Sequence, residues 1–385
     1  MTLRQRLLGK YLWPLWIFAV MRFALSASGA IIWWGGLIPE KASQALWTQP
    51  EVSSLTEGPY GALVGVWSRF DADYYTAIAL HGYFNEQVSI FWPLYPAMIR
   101  LVAPLLGNNM LAGAFFVANV ACALLFVCLY RLVLEEGLSE TTARASVLYL
   151  AFFPMSFILF APYSESVFIL LCVLTLHEAR RERWWLAGLW AFLASLTRLQ
   201  GVLLGLVILV EMLGRTCWQL RRLKWQLVAP TLPMMGLGAF LLWRTLAGFP
   251  SFIDIQYKYW GNLPAWPHEA ILQTVIRIFN GVALPVEYVN LGITLAMLWL
   301  GVWVVKTLPL SYAIYFWAAF IFTLCRIHIA AGLTSEARYC LMLFPAFMVL
   351  AQKITSPWGQ KLLHVASLSL CFMHASLFVM GGFVG

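Results

Sequence analysis

The sequence predicts an all-α polytopic membrane protein, a bundle of about eleven transmembrane helices with a large first external loop. Three observations carry this expectation. Of 385 residues, 62% are hydrophobic and only 11% charged, with a mean hydropathy of +0.78. Apolar runs of roughly 17–25 residues, the length that crosses a bilayer, recur from one end to the other. The basic residues gather in short turns between those runs. The longest polar stretches run to roughly 50 residues, which is too short for a separate soluble catalytic domain. Residues 1–385 therefore read as one transmembrane domain.

The predicted spans, in order, are 12–36, 110–131, 144–160, 162–178, 184–198, 199–213, 227–247, 284–305, 310–330, 337–352 and 362–382. The first follows MTLRQRLLGK and resembles a signal peptide with a cleavage site near ALSASGA. Its apolar run is too long and too rich in Trp for that, so it is expected to be retained. Segment 90–106 is apolar but carries three prolines and Arg100. If this segment lies on the surface or re-enters, the loops on the N-terminal side hold 15 of the 25 basic residues, including those in 177–183 and 214–226. The opposite loop, 38–89, then holds two basic residues against six acids. That asymmetry satisfies the positive-inside rule. It places the N-terminus inside and makes 37–109 and 248–283 the two large external loops, the first carrying the surface or re-entrant helix. The formal charge of +8 and pI near 9.2 are thereby assigned to orientation against an anionic leaflet rather than to nucleic acid. The seven Cys lie in or beside apolar spans with no CxxC pair, as small core residues do.

In so apolar a chain, a charge either sits at a membrane face or does something specific. Residues 67–83 read WSRFDADYYTAIALHGY and hold Asp71 and Asp73, two of only three aspartates. On a helix these two would point roughly 200° apart, so one can act as a base while the other serves as ligand or cap. The structural alternative is that one or both cap a helix over Tyr74–Leu80. A carboxylate facing an acceptor hydroxyl is what direct displacement at a sugar carbon needs, because a base must take the hydroxyl proton. Arg198, Arg244, Arg326 and Arg338 fall at the outer ends of apolar helices. Singly they read as snorkelling side chains; together they suit an anion such as a lipid phosphate. Arg22, in the middle of the first span, is expected to pair internally. Pro162-Tyr163-Ser164-Glu165 makes a short external turn, either a proline-marked hairpin or a site for an acid with a basic partner. The six His show no HxxxH or HExxH spacing, so no metal site is expected. No Gly-rich phosphate loop or GxSxG elbow is present.

Taken together, these residues resemble a known family. R-F-D-x-x-x-Y-x-x-I-A-x-x-G-Y (Arg69 to Tyr83), F-W-P-L-Y-P (91–96), F-F-P-M-S-F…A-P-Y-S-E-S (152–166), S-L-T-R-x-x-G (195–201) and S-x-x-R-Y…F-P (335–345) are similar to the GPI mannosyltransferase II (PIG-V) family and its bacterial members. The motifs run in the same order over nearly the whole stretch from 69 to 345. The resemblance implies a GT-C fold and an inverting, alpha-1,6-mannosyltransferase-like enzyme. It implies a polyprenyl (dolichyl-type) phosphate mannose donor and a lipid-linked acceptor hydroxyl on a glycan or glycolipid. No cofactor or metal is implied. Asp71 would be the catalytic base and Asp73 a lesser catalytic residue. Arg69, Tyr75 and Tyr83 would shape the first loop and contact substrate; Glu165, Arg198, Gln200 and Arg338 would bind the donor. Phe70 stands where the family usually has Trp. The site is expected on the external face of a bacterial cytoplasmic (inner) membrane, or in the endoplasmic reticulum membrane of a eukaryote. A transporter or lipid flippase is the alternative class. It would favour internal repeats and charges near the midplane, and the sequence shows neither clearly.

Overall fold

The structure is a computed structural model that describes residues 3–39, 58–218 and 224–384. Its elements, in chain order, are α1 (Leu3–Trp34), α2 (Gly58–Leu63), α3 (Asp71–His81), α4 (Leu94–Val102), α5 (Met110–Glu135), α6 (Glu140–Phe152), α7 (Glu165–Arg180), α8 (Trp184–Ser195) and α9 (Leu204–Arg215). Then follow α10 (Leu232–Leu246), α11 (Phe252–Trp260), β1 (Asn262–Pro264), α12 (Pro267–Phe279), α13 (Pro285–Thr307), α14 (Leu310–Leu324), β2 (Arg326–His328), α15 (Glu336–Tyr339), α16 (Phe344–Lys353) and α17 (Pro357–Val379). Short 3-10 turns join several of them. The all-α expectation holds.

Among the described residues, five helical segments are long and apolar enough to cross a membrane: Leu12–Trp34, Met110–Glu135, Trp225–Leu246, Pro285–Thr307 and Pro357–Val379. Each coincides with a predicted span. The other six predicted spans appear as shorter helices broken near their ends, and all the breaks but the one in 310–330 fall on the quoted motifs. Helix α6 stops at Phe152 because Phe153 precedes Pro154, which disfavours the helical region, and Phe153 is extended at φ −53°, ψ 142°. The chain then makes a 3-10 turn at Ser156–Leu159 and resumes helix after Pro162. In S-L-T-R-L-Q-G the chain folds back on itself. A Cβ at Gly201 would come within 2.3 Å of the Ala194 and Ser195 backbone, so only glycine fits there. The predicted span 310–330 is helical only to Leu324; Arg326–His328 is a strand instead. It pairs antiparallel with β1, Asn262 opposite His328 and Pro264 opposite Arg326. Segment 90–106 gives α4 plus a 3-10 turn, a Leu94–Leu106 helix of 13 residues. At 1.5 Å per residue this reaches roughly 20 Å, short of a hydrocarbon core of about 30 Å.

The chain forms two compact units. The first comprises Met1–Gly82, Tyr95–Leu170 and Leu350–Val384, the second Tyr83–Leu94 and Leu171–Val349. In the first, α1 packs on α5, α6 and α17, and α3 lies against α5. Small residues let these helices approach: Ala114, Ala118, Ala121 and Cys122 on α5 are all buried. Arg22, mid-span in α1, pairs internally as expected. It donates to Ser26 Oγ (3.1 Å) and the Phe160 carbonyl (2.8 Å), and lies over the rings of Trp67 and Phe115. In the second unit α8 packs on α10, α9 on α14, and α13 on α14 and α15.

The orientation can be tested directly. A single cysteine at Asn85 should react with an impermeant maleimide added from outside, and one at Glu182 should not; both positions are exposed. The reverse order of labelling would invert the assignment of faces. Ser53, in the same loop as Asn85, and Gln219, in the basic turn 214–226, lie outside the described residues.

Candidate active site

In the first unit the RFDADYY motif is held by three separate parts of the chain. Helix α3 begins at Asp71 itself, so neither aspartate is the cap of a helix starting at Tyr74. The N-cap is Phe70, with no side-chain capping bond, and both aspartates sit in the first turn. Negative charge there stabilises a helix through the aligned N–H groups. Phe70 has φ +52° and ψ −116°, a conformation that a bulky side chain adopts only under constraint. The constraint is visible on both sides. Tyr163 Oη donates to the Arg69 carbonyl (2.9 Å), and Arg69 Nη2 donates to the Val379 carbonyl. The Phe70 ring sits 5.7 Å from Phe378 and 5.9 Å from Phe383. The residue just before Asp71 is thus locked in a strained turn.

The two aspartates have different surroundings. Asp73 Oδ1 accepts from Ser68 Oγ at 2.6 Å. Burial pushes the Asp73 carboxyl up to about 6, against Ser68 and Arg69, which pull it down. A carboxyl raised from its ordinary 3.8 keeps its proton in the folded chain while the unfolded chain loses it. Its contribution to stability therefore falls as pH rises through the interval between those two values. Asp73→Asn, which removes the titration, should gain thermal stability over the parent between pH 4 and pH 7. The two melting curves, measured in detergent across that range, should separate with pH; a constant offset would rule out the buried carboxylate.

The A-P-Y-S-E-S turn meets the same motif. Tyr75 Oη shares a hydrogen bond of 2.9 Å with Ser164 Oγ, and its ring stands edge-on to Tyr95 at 4.9 Å. Tyr95 is fully buried and donates to the Ala114 carbonyl. Glu165 is buried at the start of α7 and acts electrostatically on Tyr95. Of the expected site residues, Arg69, Asp71, Asp73, Tyr75 and Glu165 lie in this unit, and hydrogen bonds tie the 68–75 and 163–164 segments together. Ser68, Tyr95, Tyr163 and Ser164 join this network although none was among the expected site residues. Three of them stand inside quoted motifs (Tyr95, Tyr163 and Ser164), which was the available signal.

Tyr83, Arg198, Gln200 and Arg338 belong to the second unit. Tyr83 Oη donates to the Phe91 carbonyl (2.8 Å), and its ring packs on Trp243 at 4.7 Å. Its hydroxyl thus braces the F-W-P-L-Y-P turn, whose Leu94 N–H donates to the Leu196 carbonyl of S-L-T-R. Arg244, at the end of α10, donates to Ser89 Oγ and the Pro250 carbonyl and pins the same turn. Arg198 has extended backbone and precedes the 3-10 turn Leu199–Leu203 that carries a half-buried Gln200. Its guanidinium lies 5.5 Å from the Tyr339 ring, and that of Arg326 lies 4.3 Å from the same ring. Two arginines thus gather on one tyrosine ring, and Arg338 precedes that tyrosine in the chain. Beside them Glu336 is buried behind Ser335, itself at φ +58°. Thr323 Oγ1 donates to Glu336 (2.6 Å), and burial pushes its carboxyl up to about 7. This basic cluster can hold an anion through guanidinium forks.

This is the fold of a polytopic GT-C-like membrane protein, with an acidic loop motif in one unit and an arginine cluster in the other. The sequence model of the mannosyltransferase (PIG-V) family matches residues 15–265, and the chain belongs to that family. Mouse GPI alpha-1,6-mannosyltransferase 2 is 29% identical over 230 residues, covering 57% of this chain and 45% of the mouse protein. Its human counterpart is 27% identical over 202 residues, covering 48% of this chain and 40% of the human protein. The chain thus spans less than half the length of these relatives. The structure of ArnT from Cupriavidus metallidurans bound to undecaprenyl phosphate has a similar fold. Its TM-score is 0.50 at 17% identity, over 78% of this chain and 58% of ArnT. Arg326 and Arg338 lie beyond the matched stretch.

Proposed function

We propose that this chain is an inverting membrane mannosyltransferase that moves mannose from a polyprenyl-phosphate donor to a hydroxyl of a lipid-linked glycan or glycolipid. The observation that carries this reading is the presentation of Asp71 at the first position of α3, directly after the locked Phe70, in a chain of the mannosyltransferase (PIG-V) family. Asp71 takes the proton of the acceptor hydroxyl as its oxygen attacks the anomeric carbon. The bond from that carbon to the phosphate oxygen breaks, and the polyprenyl phosphate leaves with the added charge. Arg198 and Arg338, with Gln200, hold the phosphate, and Glu165 orients the sugar. Arg69, Tyr75 and Tyr83 keep the loop in shape. A fold likeness to ArnT, whose structure holds undecaprenyl phosphate, supports a lipid-phosphate donor. A monophosphate held by arginines needs no metal. The excess of basic residues in the turns opposite loop 38–89 supports a reaction on the external face of the membrane.

The test is incubation of purified protein with labelled polyprenyl-phosphate mannose and a membrane lipid extract. Transfer of label to a new lipid is expected, with the anomeric configuration inverted. Movement of the donor across reconstituted bilayers without any labelled product would favour the transporter reading instead.

A further inference from the structure

Helix α12 has two faces of different chemistry. On one face Ala270 and Thr274 are buried. The Leu333 N–H donates to Thr274 Oγ1 (2.8 Å), and a Cβ at Gly332 would lie 2.2 Å from that oxygen, so the 332–333 backbone sits directly on the helix. Arg277 reaches the buried Glu287 of α13 through both nitrogens, Nε at 2.8 Å and Nη2 at 3.2 Å. The opposite face carries His268, Leu272, Ile276 and Phe279, one per turn. The last three are 55%, 49% and 85% exposed. Exposed apolar side chains continue through Val282 and Leu284 to Tyr288, Leu295 and Trp299 on the outside of the membrane-crossing α13.

We infer that α12 lies in the membrane interface, with Leu272, Ile276 and Phe279 inserted among the acyl chains of the leaflet that meets the N-terminal end of α13. The occupant of this stripe is lipid because the stripe runs without interruption into the lipid-facing side of a spanning helix. Only Asn280–Leu284 separate the two helices, and five residues reach at most about 17 Å. Phe279 is therefore held close to the bilayer. The polarity is graded: His268 and Glu269 stand at the N-terminal end and Phe279 at the other, so insertion deepens along the helix. An amphipathic helix with such a face binds at the headgroup–acyl boundary.

The inserted helix is also a strap. Besides the Thr274–Leu333 bond, the β1–β2 ladder ties the chain just before it to Arg326–His328. Asn290 of α13 donates to the Leu333 carbonyl (3.0 Å) and accepts from the Ala337 N–H (3.0 Å). The segment carrying Arg326, Arg338 and Tyr339 is thus hung from an element that rests on lipid. This inference stands whether or not the chain transfers mannose.

Single nitroxide labels at positions 268, 272, 276 and 279, in a cysteine-free background reconstituted in phosphatidylcholine–phosphatidylglycerol nanodiscs, should show a depth gradient. Accessibility to oxygen should rise and accessibility to a water-soluble nickel chelate fall from 268 to 279. Nickel accessibility at 272, 276 and 279 equal to that of a label at Asn85 would overturn the inference. So would dipolar broadening at those positions, which would mean that a second copy covers the stripe. The unmodified protein gives a parallel readout that does not depend on cysteine replacement. In bilayers containing a phospholipid with a mid-chain diazirine, adducts should fall on Leu272–Phe279, and their absence there would equally refute it.

Discussion

Asp71→Asn should abolish mannosyl transfer while the donor still binds. The substitution preserves shape and the first-turn position but removes the base. An attacking alcohol must lose its proton as the bond to phosphate breaks, and general-base groups contribute roughly 10²–10⁴-fold in rate. Asp73→Asn should fall short of that range. Asp73 Oδ1 is already occupied by the Ser68 hydroxyl at 2.6 Å, which suits a supporting residue better than the principal base. The measurement is product formation at saturating donor, paired with a donor-binding titration on the same preparations. Full activity in Asp71→Asn would remove the assignment. So would activity lost to a chelator and restored by a divalent ion.

Arg198→Ala and Arg338→Ala should each weaken donor binding by about 10- to 150-fold. That range follows from a charged hydrogen bond worth about 1.5–3 kcal/mol. The two arginines come from different parts of the second unit, a turn after α8 and the four-residue α15, and Arg198 lies over the ring of Tyr339, the neighbour of Arg338 in the chain. Polyprenyl phosphate, added to the purified variants and followed by intrinsic Trp fluorescence, reads the affinity. Melting temperature checks the fold. Unchanged affinity in both variants, with folding intact, would return these arginines to snorkelling side chains. Asp71→Asn and the arginine variants should therefore separate cleanly, one losing rate and the others losing affinity.

Much of the bundle was legible in the sequence for a simple reason. A bilayer admits only backbone whose hydrogen bonds are satisfied internally, so an apolar run of spanning length is a helix. That reasoning located the five long spans and the internal pairing of Arg22. It also drew attention to Asp71, because a carboxylate is conspicuous in so apolar a chain. The breaks in the shorter spans were partly readable too, since Pro154, Pro162 and Gly201 mark them.

What only the tertiary structure decided depends on contacts between residues far apart in the chain. Tyr163 meets the Arg69 carbonyl across 94 positions, and Tyr75 meets Ser164 across 89. Phe70 lies at positive φ because these bonds and the Phe378 and Phe383 rings hold it there, and nothing in its local sequence calls for that conformation. The same holds for the strand at Arg326–His328. Three residues have no β signal of their own, and the pairing exists because Asn262–Pro264 is brought alongside. The apolar run 310–330 alone therefore read as helix to its end. Helix periodicity is a property of neighbours in the chain, whereas the setting of Asp71 and the clustering of Arg198 and Arg326 on one tyrosine ring are properties of neighbours in space.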